Sequence, residues 1–163
     1  MKILYYGGQK SGKSRLAEAK ALELAKMSKP YYIATYDNSY ADTEMQERLM
    51  THQQQRKEQF ISIEEPIHLT KVIKEGTYLV DCLSMWILNT LDRKTEELFD
   101  ELEALAQKEA HIVFVLNDVS SGVIPMDKEN RKFVDRSGII GQRVASFCDE
   151  VYEVKLGIEG KLK

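Results

Sequence analysis

The chain has 163 residues, and its 23 lysines and arginines against 26 aspartates and glutamates leave a formal net charge of −3. That length suits one domain, residues 1–163, around a single core, and the acidic balance excludes the broad cationic field that holds nucleic acid. With two cysteines, too few for a disulfide framework, and no apolar run typical of a secretory signal or of a membrane span, we expect a cytoplasmic protein.

Short apolar runs alternate along the chain with longer segments of helical spacing. The runs predict six strands, at residues 2–6, 31–36, 59–63, 77–81, 112–116 and 151–155. The segments predict helices over residues 14–27, 43–57, 67–74, 95–108 and 127–147. Alternation of this kind predicts an α/β fold with a mostly parallel central sheet flanked by helices.

A phosphate-binding sequence lies between the first predicted strand and the first predicted helix. Residues 7–14 match the pattern G-x-x-x-x-G-K-[ST], whose backbone N–H groups surround phosphate oxygens at a helix N-terminus. The candidate nucleotide-binding residues are Gly7, Gly8, Gln9, Lys10, Ser11, Gly12, Lys13 and Ser14. Lys13 would reach the terminal phosphates and Ser14 would bind Mg²⁺. A glycine-rich turn that only starts a helix is the alternative, and the flanking elements favour nucleotide binding.

Two acidic residues follow other predicted strands. Asp81 ends the apolar run at residues 78–80 and is the candidate for the second Mg²⁺ position, although aspartate at a strand end is also a common turn former. Glu64 and Glu65 precede Pro66 and can form a polar turn, or can hold a metal ion or a substrate hydroxyl. We take Glu64 as a candidate for nucleotide and metal binding.

A charged stripe runs along the helix predicted at residues 43–57. Glu44, Arg48, His52 and Arg56 recur at steps of four, so their side chains share one helical face. A solvent-exposed, salt-bridged face has the same pattern. In a nucleotide-binding enzyme, however, the two arginines can hold phosphates while the neutral imidazole of His52 attacks phosphorus.

Ordered blocks along nearly the whole chain, beyond the phosphate loop, resemble one family. The blocks are residues 7–15, 32–35, 44–45, 64–66, 80–83 and 149–151, with Arg48, His52, Arg56, Trp86, Asn89, Asn117, Val119, Gly122, Pro125, Arg131, Phe133, Asp135, Gly138 and Gln142. The family is that of the bifunctional adenosylcobinamide kinases and adenosylcobinamide-phosphate guanylyltransferases of cobalamin biosynthesis.

The resemblance implies a P-loop NTPase fold of the RecA-like kind and a two-step enzyme. Such an enzyme phosphorylates adenosylcobinamide with ATP or GTP and then adds GMP from GTP, through a covalent GMP–histidine intermediate. The matching histidine is His52. Similar proteins form trimers, which implies a homo-oligomer here.

The chain also departs from the family pattern. Gln53 stands where similar proteins usually have arginine, which removes a cation beside the histidine, so adenosylcobinamide kinase activity alone is the leading alternative. Asp118 replaces a glutamate, Ser120 a glycine and Gly141 an asparagine. A nucleotide-switched binding or assembly protein therefore stays open as a second alternative.

Overall fold

The computed structural model describes residues 1–36 and 58–163, so the helix predicted at residues 43–57 and its charged stripe lie outside the described residues. The strands in the described part are β1 (Lys2–Gly7), β2 (Tyr31–Ala34), β3 (Ile61–Glu64), β4 (Gly76–Asp81), β5 (Ala110–Asn117), β6 (Glu150–Lys155) and β7 (Ile158–Lys161). The helices there are α1 (Lys13–Ala25), α2 (Leu69–Val72), α3 (Leu83–Asn89), α4 (Thr95–Ala106) and α5 (Lys128–Phe147).

The strands form one sheet in the order β3-β2-β4-β5-β1-β6-β7. β7 is antiparallel to β6, and the other described neighbours pair in parallel. Because crossover helices cover both faces, the inner strands are apolar on both sides and read as continuous runs, as residues 112–116 do. This arrangement confirms the α/β prediction of a mostly parallel sheet flanked by helices.

The two faces of the sheet have separate cores. On one face Ile3 and Tyr5 pack with Ala17 and Ala21 of α1, and these small alanines let the helix lie close to the strands. On the other face Leu4 belongs to a larger cluster that also contains the buried side chains of α3, α4 and α5. Successive strand residues point to opposite faces, so β1 packs against both cores. This packing fixes the position of the strand end from which the following loop starts.

All six predicted strands are present, and two elements were not predicted. The four residues of β7 are all exposed, so this strand has no buried face to produce a hydrophobic alternation. α3 has only seven residues, of which Leu83, Trp86 and Ile87 are fully buried, and so short an apolar run carries no helical period. Within residues 1–36 and 58–163, no helix has the length and apolarity needed to cross a bilayer.

Candidate active site

The phosphate loop occupies the connection between β1 and α1. Gly7 is the last residue of β1, and Lys13 is the first residue of α1. Gly12 caps the helix with φ of 96°, a left-handed conformation that glycine adopts without steric cost. The N–H of Ser11 donates to the carbonyl of Gly8 at 3.2 Å, which closes the turn. The sequence-based placement of a loop between strand and helix is therefore correct.

Lys13 lies inside this loop rather than in solvent. The residue is only 6% exposed, and its Nζ donates to the carbonyl oxygen of Gly8 at 3.1 Å. Burial lowers the pKa of Lys13, while the nearby Cys82 and Asp81 act in the opposite direction. The protein thus holds an ammonium group whose charge is poorly compensated, and a phosphate oxygen is the kind of partner that would stabilise it.

The loop is packed tightly against the turn between β6 and β7. The N–H of Gly157 in that turn donates to the carbonyl of Ser11 at 2.8 Å. A Cβ added at Gly7 would lie 2.5 Å from the carbonyl oxygen of Val154, and one at Gly12 would lie 3.2 Å from the Cα of Gly157. Both glycines are therefore required by close backbone approach as well as by the motif.

One polar atom of the loop lacks a partner. The Oγ of Ser11 is buried, and it neither accepts nor donates a hydrogen bond within the described residues. Buried hydroxyl groups are normally satisfied, and an orphaned one indicates a missing ligand, ion or water. The donor set of this loop, with its amides, Ser11, Lys13 and Ser14, fits a phosphate tail.

Asp81 ends β4 at the same edge of the sheet as the phosphate loop. The hydroxyl of Tyr32 donates to its Oδ2 at 3.0 Å. The next residue is held by Thr35, whose Oγ1 donates to the carbonyl of Cys82 at 2.7 Å and accepts from its N–H at 3.0 Å. Thr35 is fully buried, so these bonds fix the direction of the chain as it leaves β4.

Glu64 ends β3, two strands away from Asp81 in the sheet. Both residues are in register with Ala34 of β2, on either side of it, so their backbones are roughly 10 Å apart and their side chains share a face. Glu64 is exposed. Among the described residues no group of three or more His, Cys, Asp or Glu side chains could hold a metal ion, which is compatible with Mg²⁺ only if phosphate oxygens supply ligands.

Asn89 joins segments that the sequence reasoning did not bring together. Its Nδ2 donates to the carbonyl of Thr35 at 2.7 Å and to that of Pro66 at 3.1 Å. It thereby ties the ends of β2 and β3 to the end of α3, next to the candidate carboxylates. The residues it joins are 23 and 54 positions away, and no spacing rule signals contacts over such separations. The sequence signal for Asn89 was its place among the residues that resemble the family.

Asp118 follows β5 and extends the pairing with β1, since its N–H donates to the carbonyl of Gly7 at 2.9 Å. Its carboxylate accepts hydrogen bonds from the N–H and hydroxyl groups of Ser120 and Ser121. Burial acts to raise the pKa of Asp118, but the hydrogen bonds outweigh it, and the pKa lies well below its usual range. Asp118, one of the residues that depart from the family pattern, is therefore an ionised anchor beside the phosphate loop.

The structure brings the candidate residues of the phosphate loop, Asp81 and Glu64 to the carboxyl-terminal edge of the sheet, where ligands of open parallel sheets bind. Three other candidates lie outside the described residues, so their predicted roles stay predictions: Arg48, His52 and Arg56.

Comparisons with known proteins cover nearly the whole chain or all of it. Residues 3–162 match the family model described as cobinamide kinase / cobinamide phosphate guanyltransferase. The bifunctional adenosylcobalamin biosynthesis protein CobP of Pseudomonas aeruginosa is 34% identical over 176 residues, covering 100% of this chain and 98% of the relative. The corresponding protein CobU of Escherichia coli is 31% identical over 186 residues, covering 100% of both. A solved KaiC-like protein from Pyrococcus horikoshii is 9% identical with a TM-score of 0.46, covering 93% of this chain and 69% of that one.

Proposed function

Because the chain belongs to the cobinamide kinase / cobinamide phosphate guanyltransferase family, we propose that it phosphorylates adenosylcobinamide with ATP or GTP. In a second step it transfers GMP from GTP to the phosphorylated corrinoid, which yields adenosylcobinamide-GDP. The observation that carries the proposal is the buried Lys13, held inside a phosphate loop at the carboxyl edge of a parallel sheet. The relatives that share the full length of the chain have bifunctional adenosylcobalamin biosynthesis in their names.

In the kinase step the residues of the loop position and stabilise rather than react. The acceptor hydroxyl oxygen forms a bond to the γ-phosphorus, the bond between that phosphorus and the β–γ bridging oxygen breaks, and the nucleoside diphosphate leaves. The proton of the hydroxyl passes to a carboxylate or to solvent, and Asp81 and Glu64 are the candidates. Lys13 and the loop amides compensate the charge on the equatorial oxygens, which is the main protein contribution to phosphoryl transfer.

Magnesium fits the polar groups at this edge. Ser14, Asp81 and Glu64 would hold it, together with phosphate oxygens, in the oxygen-only coordination that Mg²⁺ requires. The ion would supply positive charge that neutralises the negative charge developing on the phosphate groups. Ser14 is next to Lys13 at the start of α1, so its hydroxyl would reach the phosphates from the same helix end.

In the transferase step we assign the nucleophile to His52, with Arg48 and Arg56 on the α-phosphate. An imidazole nitrogen forms a bond to the α-phosphorus of GTP, and pyrophosphate leaves. A phosphate oxygen of the corrinoid then attacks the same phosphorus, the P–N bond breaks, and His52 is regenerated. A covalent intermediate divides one difficult substitution into two easier ones.

The test uses GTP labelled at the α-phosphate. The parent protein should acquire an acid-labile label that adenosylcobinamide phosphate discharges, and His52→Ala should acquire none while still phosphorylating adenosylcobinamide. An unlabelled parent with intact kinase activity would leave the kinase-only alternative, which Gln53 motivates. Nucleotide-dependent association with a protein partner, without corrinoid turnover, would favour the assembly protein instead.

Two further expectations stay predictions. A homotrimer is tested by analytical ultracentrifugation, and a cytoplasmic location is tested by cell fractionation.

A further inference from the structure

A pocket of about 270 Å³ opens between the sheet and α5. Leu4 and Leu116 form its floor on the sheet, on the face opposite α1. Gly138, Gly141 and Ala145 of α5 line the opposite wall. Such small side chains leave the helix surface shallow, so the space between helix and sheet stays open.

The pocket adjoins the phosphate loop. Tyr6 and Asn117 both line it; Tyr6 precedes Gly7 directly, and Asn117 pairs with Gly7 in the sheet register. The pocket is therefore reached from the carboxyl ends of β1 and β5, where α1 leaves the sheet on one face and the chain leading to α5 leaves on the other. Crevices at such points are the usual ligand sites of open α/β sheets.

An unsatisfied polar group lies in the wall of this pocket. Ser137 lines the space and is only 4% exposed, and its Oγ is buried with no hydrogen-bond partner within the described residues. Leaving a buried hydroxyl unpaired destabilises the folded chain, so a ligand group that pairs with it would stabilise the protein. Asn117 and Gln142 add amide groups to the same lining. The lining is therefore apolar with a few amide and hydroxyl groups, a composition typical of small-molecule sites.

The apolar surface continues outside the pocket. Val119 and Ser120 line the pocket itself. In the segment that follows them, Val123 and Met126 are almost completely exposed and Ile124 is 77% exposed. Contiguous exposed apolar side chains of this kind mark binding surfaces. Five residues of the family blocks, Asn117, Val119, Gly138, Gln142 and Val151, line the pocket, although the phosphate chemistry uses none of them.

We propose that this pocket takes one edge of the corrinoid acceptor: methyl-bearing ring carbons against Leu4, Leu116 and Gly138, and a peripheral carboxamide on Ser137 and Gln142. The inference rests on the proposed function and specifies where its acceptor binds. A space of about 270 Å³ is smaller than most pockets for drug-sized ligands, so it holds an edge of the macrocycle and leaves the rest against residues 123–126. The hydroxyl to be phosphorylated then points toward the loop.

The first test fills the pocket from α5. A Cβ at Gly138 would meet no described atom within 4 Å, so Gly138→Leu projects into open space without a backbone clash. Cobinamide binding, measured by calorimetry, should weaken roughly tenfold or more, as expected when a ligand must displace or strain a new side chain. Gly138→Ala should weaken it less, and binding of Mg²⁺-ATP should be unchanged in both. Asp100→Leu adds the same side chain to the exposed surface of α4 and should leave cobinamide binding as in the parent.

The second test removes the unpaired hydroxyl. In Ser137→Ala the ligand-free protein should melt at the same temperature as the parent or higher, because an uncompensated buried hydroxyl is lost. Cobinamide affinity should fall several-fold. A purely structural role for Ser137 would instead lower the melting temperature and leave the affinity unchanged.

Unchanged cobinamide affinity in Gly138→Leu, with corrinoid phosphorylation intact, would overturn the pocket assignment and leave the proposed function standing. A parent protein that binds nucleotide but neither binds nor phosphorylates cobinamide would overturn the proposed function, and this inference with it. If Gly138→Leu changes the oligomeric state in sedimentation, a second copy of the chain occupies the pocket, which also overturns the assignment.

Discussion

Lys13→Met separates two effects of the buried lysine in the phosphate loop: its effect on the free energy of unfolding and its effect on nucleotide affinity. The substitution keeps the length and apolar bulk of the side chain and removes the ammonium. In the ligand-free protein Lys13 is 6% exposed, and within residues 1–36 and 58–163 its ammonium makes one hydrogen bond, to the carbonyl of Gly8 at 3.1 Å. The variant loses this bond, worth about 1.5–3 kcal/mol when charged, but also loses a desolvation cost of similar or larger size.

The lowered pKa of Lys13 shows which effect dominates, because it means that the folded chain disfavours the charged form. We therefore expect the free energy of unfolding of Lys13→Met at pH 7 to equal or exceed that of the parent. The parent carries the penalty at every pH below the native pKa. This cost of burying the charged ammonium falls as pH rises from the native pKa toward the ordinary lysine pKa of 10.5. The difference between the two proteins should shrink over that alkaline window.

Nucleotide affinity should change in the opposite direction. Removing one partner of a buried charge-assisted contact costs about 2–5 kcal/mol, so the dissociation constant for Mg²⁺-ATP should rise by roughly 30- to 4,000-fold. Urea denaturation followed by fluorescence measures the stability, and calorimetry measures the binding.

Lys20→Met is the matched control for both measurements. It removes a lysine from the same helix whose Nζ lies 3.2 Å from the exposed Glu23 carboxylate, a surface pair of little energetic value. Its stability and its nucleotide affinity should both stay near those of the parent. If Lys13→Met binds Mg²⁺-ATP like the parent, Lys13 does not bind the nucleotide. If its free energy of unfolding is lower than that of the parent by more than about 2 kcal/mol, Lys13 is a structural residue.

Three other predictions concern the glycines of the phosphate loop, the carboxylate of Asp118 and the two cysteine thiols. Gly7→Ala should lower the free energy of unfolding by about 1–3 kcal/mol, because its Cβ would lie 2.5 Å from a backbone carbonyl oxygen of β6. Gly8→Ala, whose Cβ meets no described atom within 4 Å, should change it by less than about 1 kcal/mol. Asp118→Asn should lower the melting temperature at pH 7, and the difference should begin to shrink as pH falls below the ordinary aspartate pKa of 3.8, because the stabilisation from a carboxylate with a lowered native pKa is lost progressively from that value down to the native one. Burial raises the pKa of the Cys82 thiol to about 11 and that of Cys148 to about 12, so a disulfide reagent at pH 8 should modify the native protein slowly and the unfolded protein quickly at both thiols.

Each of these predictions has a contradicting result. Equal stability of the two alanine variants would mean that β1 and β6 can separate without cost. A melting difference for Asp118→Asn that does not shrink at all as pH falls below 3.8 would trace its effect to shape rather than charge. Rapid modification of both native thiols would show that neither is shielded by the fold.

The sequence allowed the phosphate site to be located because that site is local. Residues 7–14 combine strand end, loop and helix start within one short stretch, and the chemistry of each position follows from its type. The strands were predicted for a similar reason, since a sheet covered on both faces produces continuous apolar runs. β7 and α3 were missed because an exposed four-residue strand and a buried seven-residue helix have no readable period.

The remainder of the candidate site depends on contacts between distant parts of the chain. Thr35 and Cys82 are 47 residues apart, and Asn89 and Thr35 are 54 apart, so no spacing rule connects them. The pocket beside α5 exists because glycine and alanine on one helix face meet leucines on the sheet, and neither group alone predicts a cavity.

The sequence by itself therefore determined the class of fold, the phosphate loop and the identity of its lysine, because these depend on neighbours within a few residues. The tertiary structure alone decided that Lys13 is buried, that Gly7 contacts β6 through its backbone, and that Ser137, beside a pocket, has a buried hydroxyl without a partner in the described part of the chain. The physical reason is that burial and hydrogen-bond satisfaction depend on how separate elements pack, and packing is a property of the assembled sheet and helices rather than of any one segment.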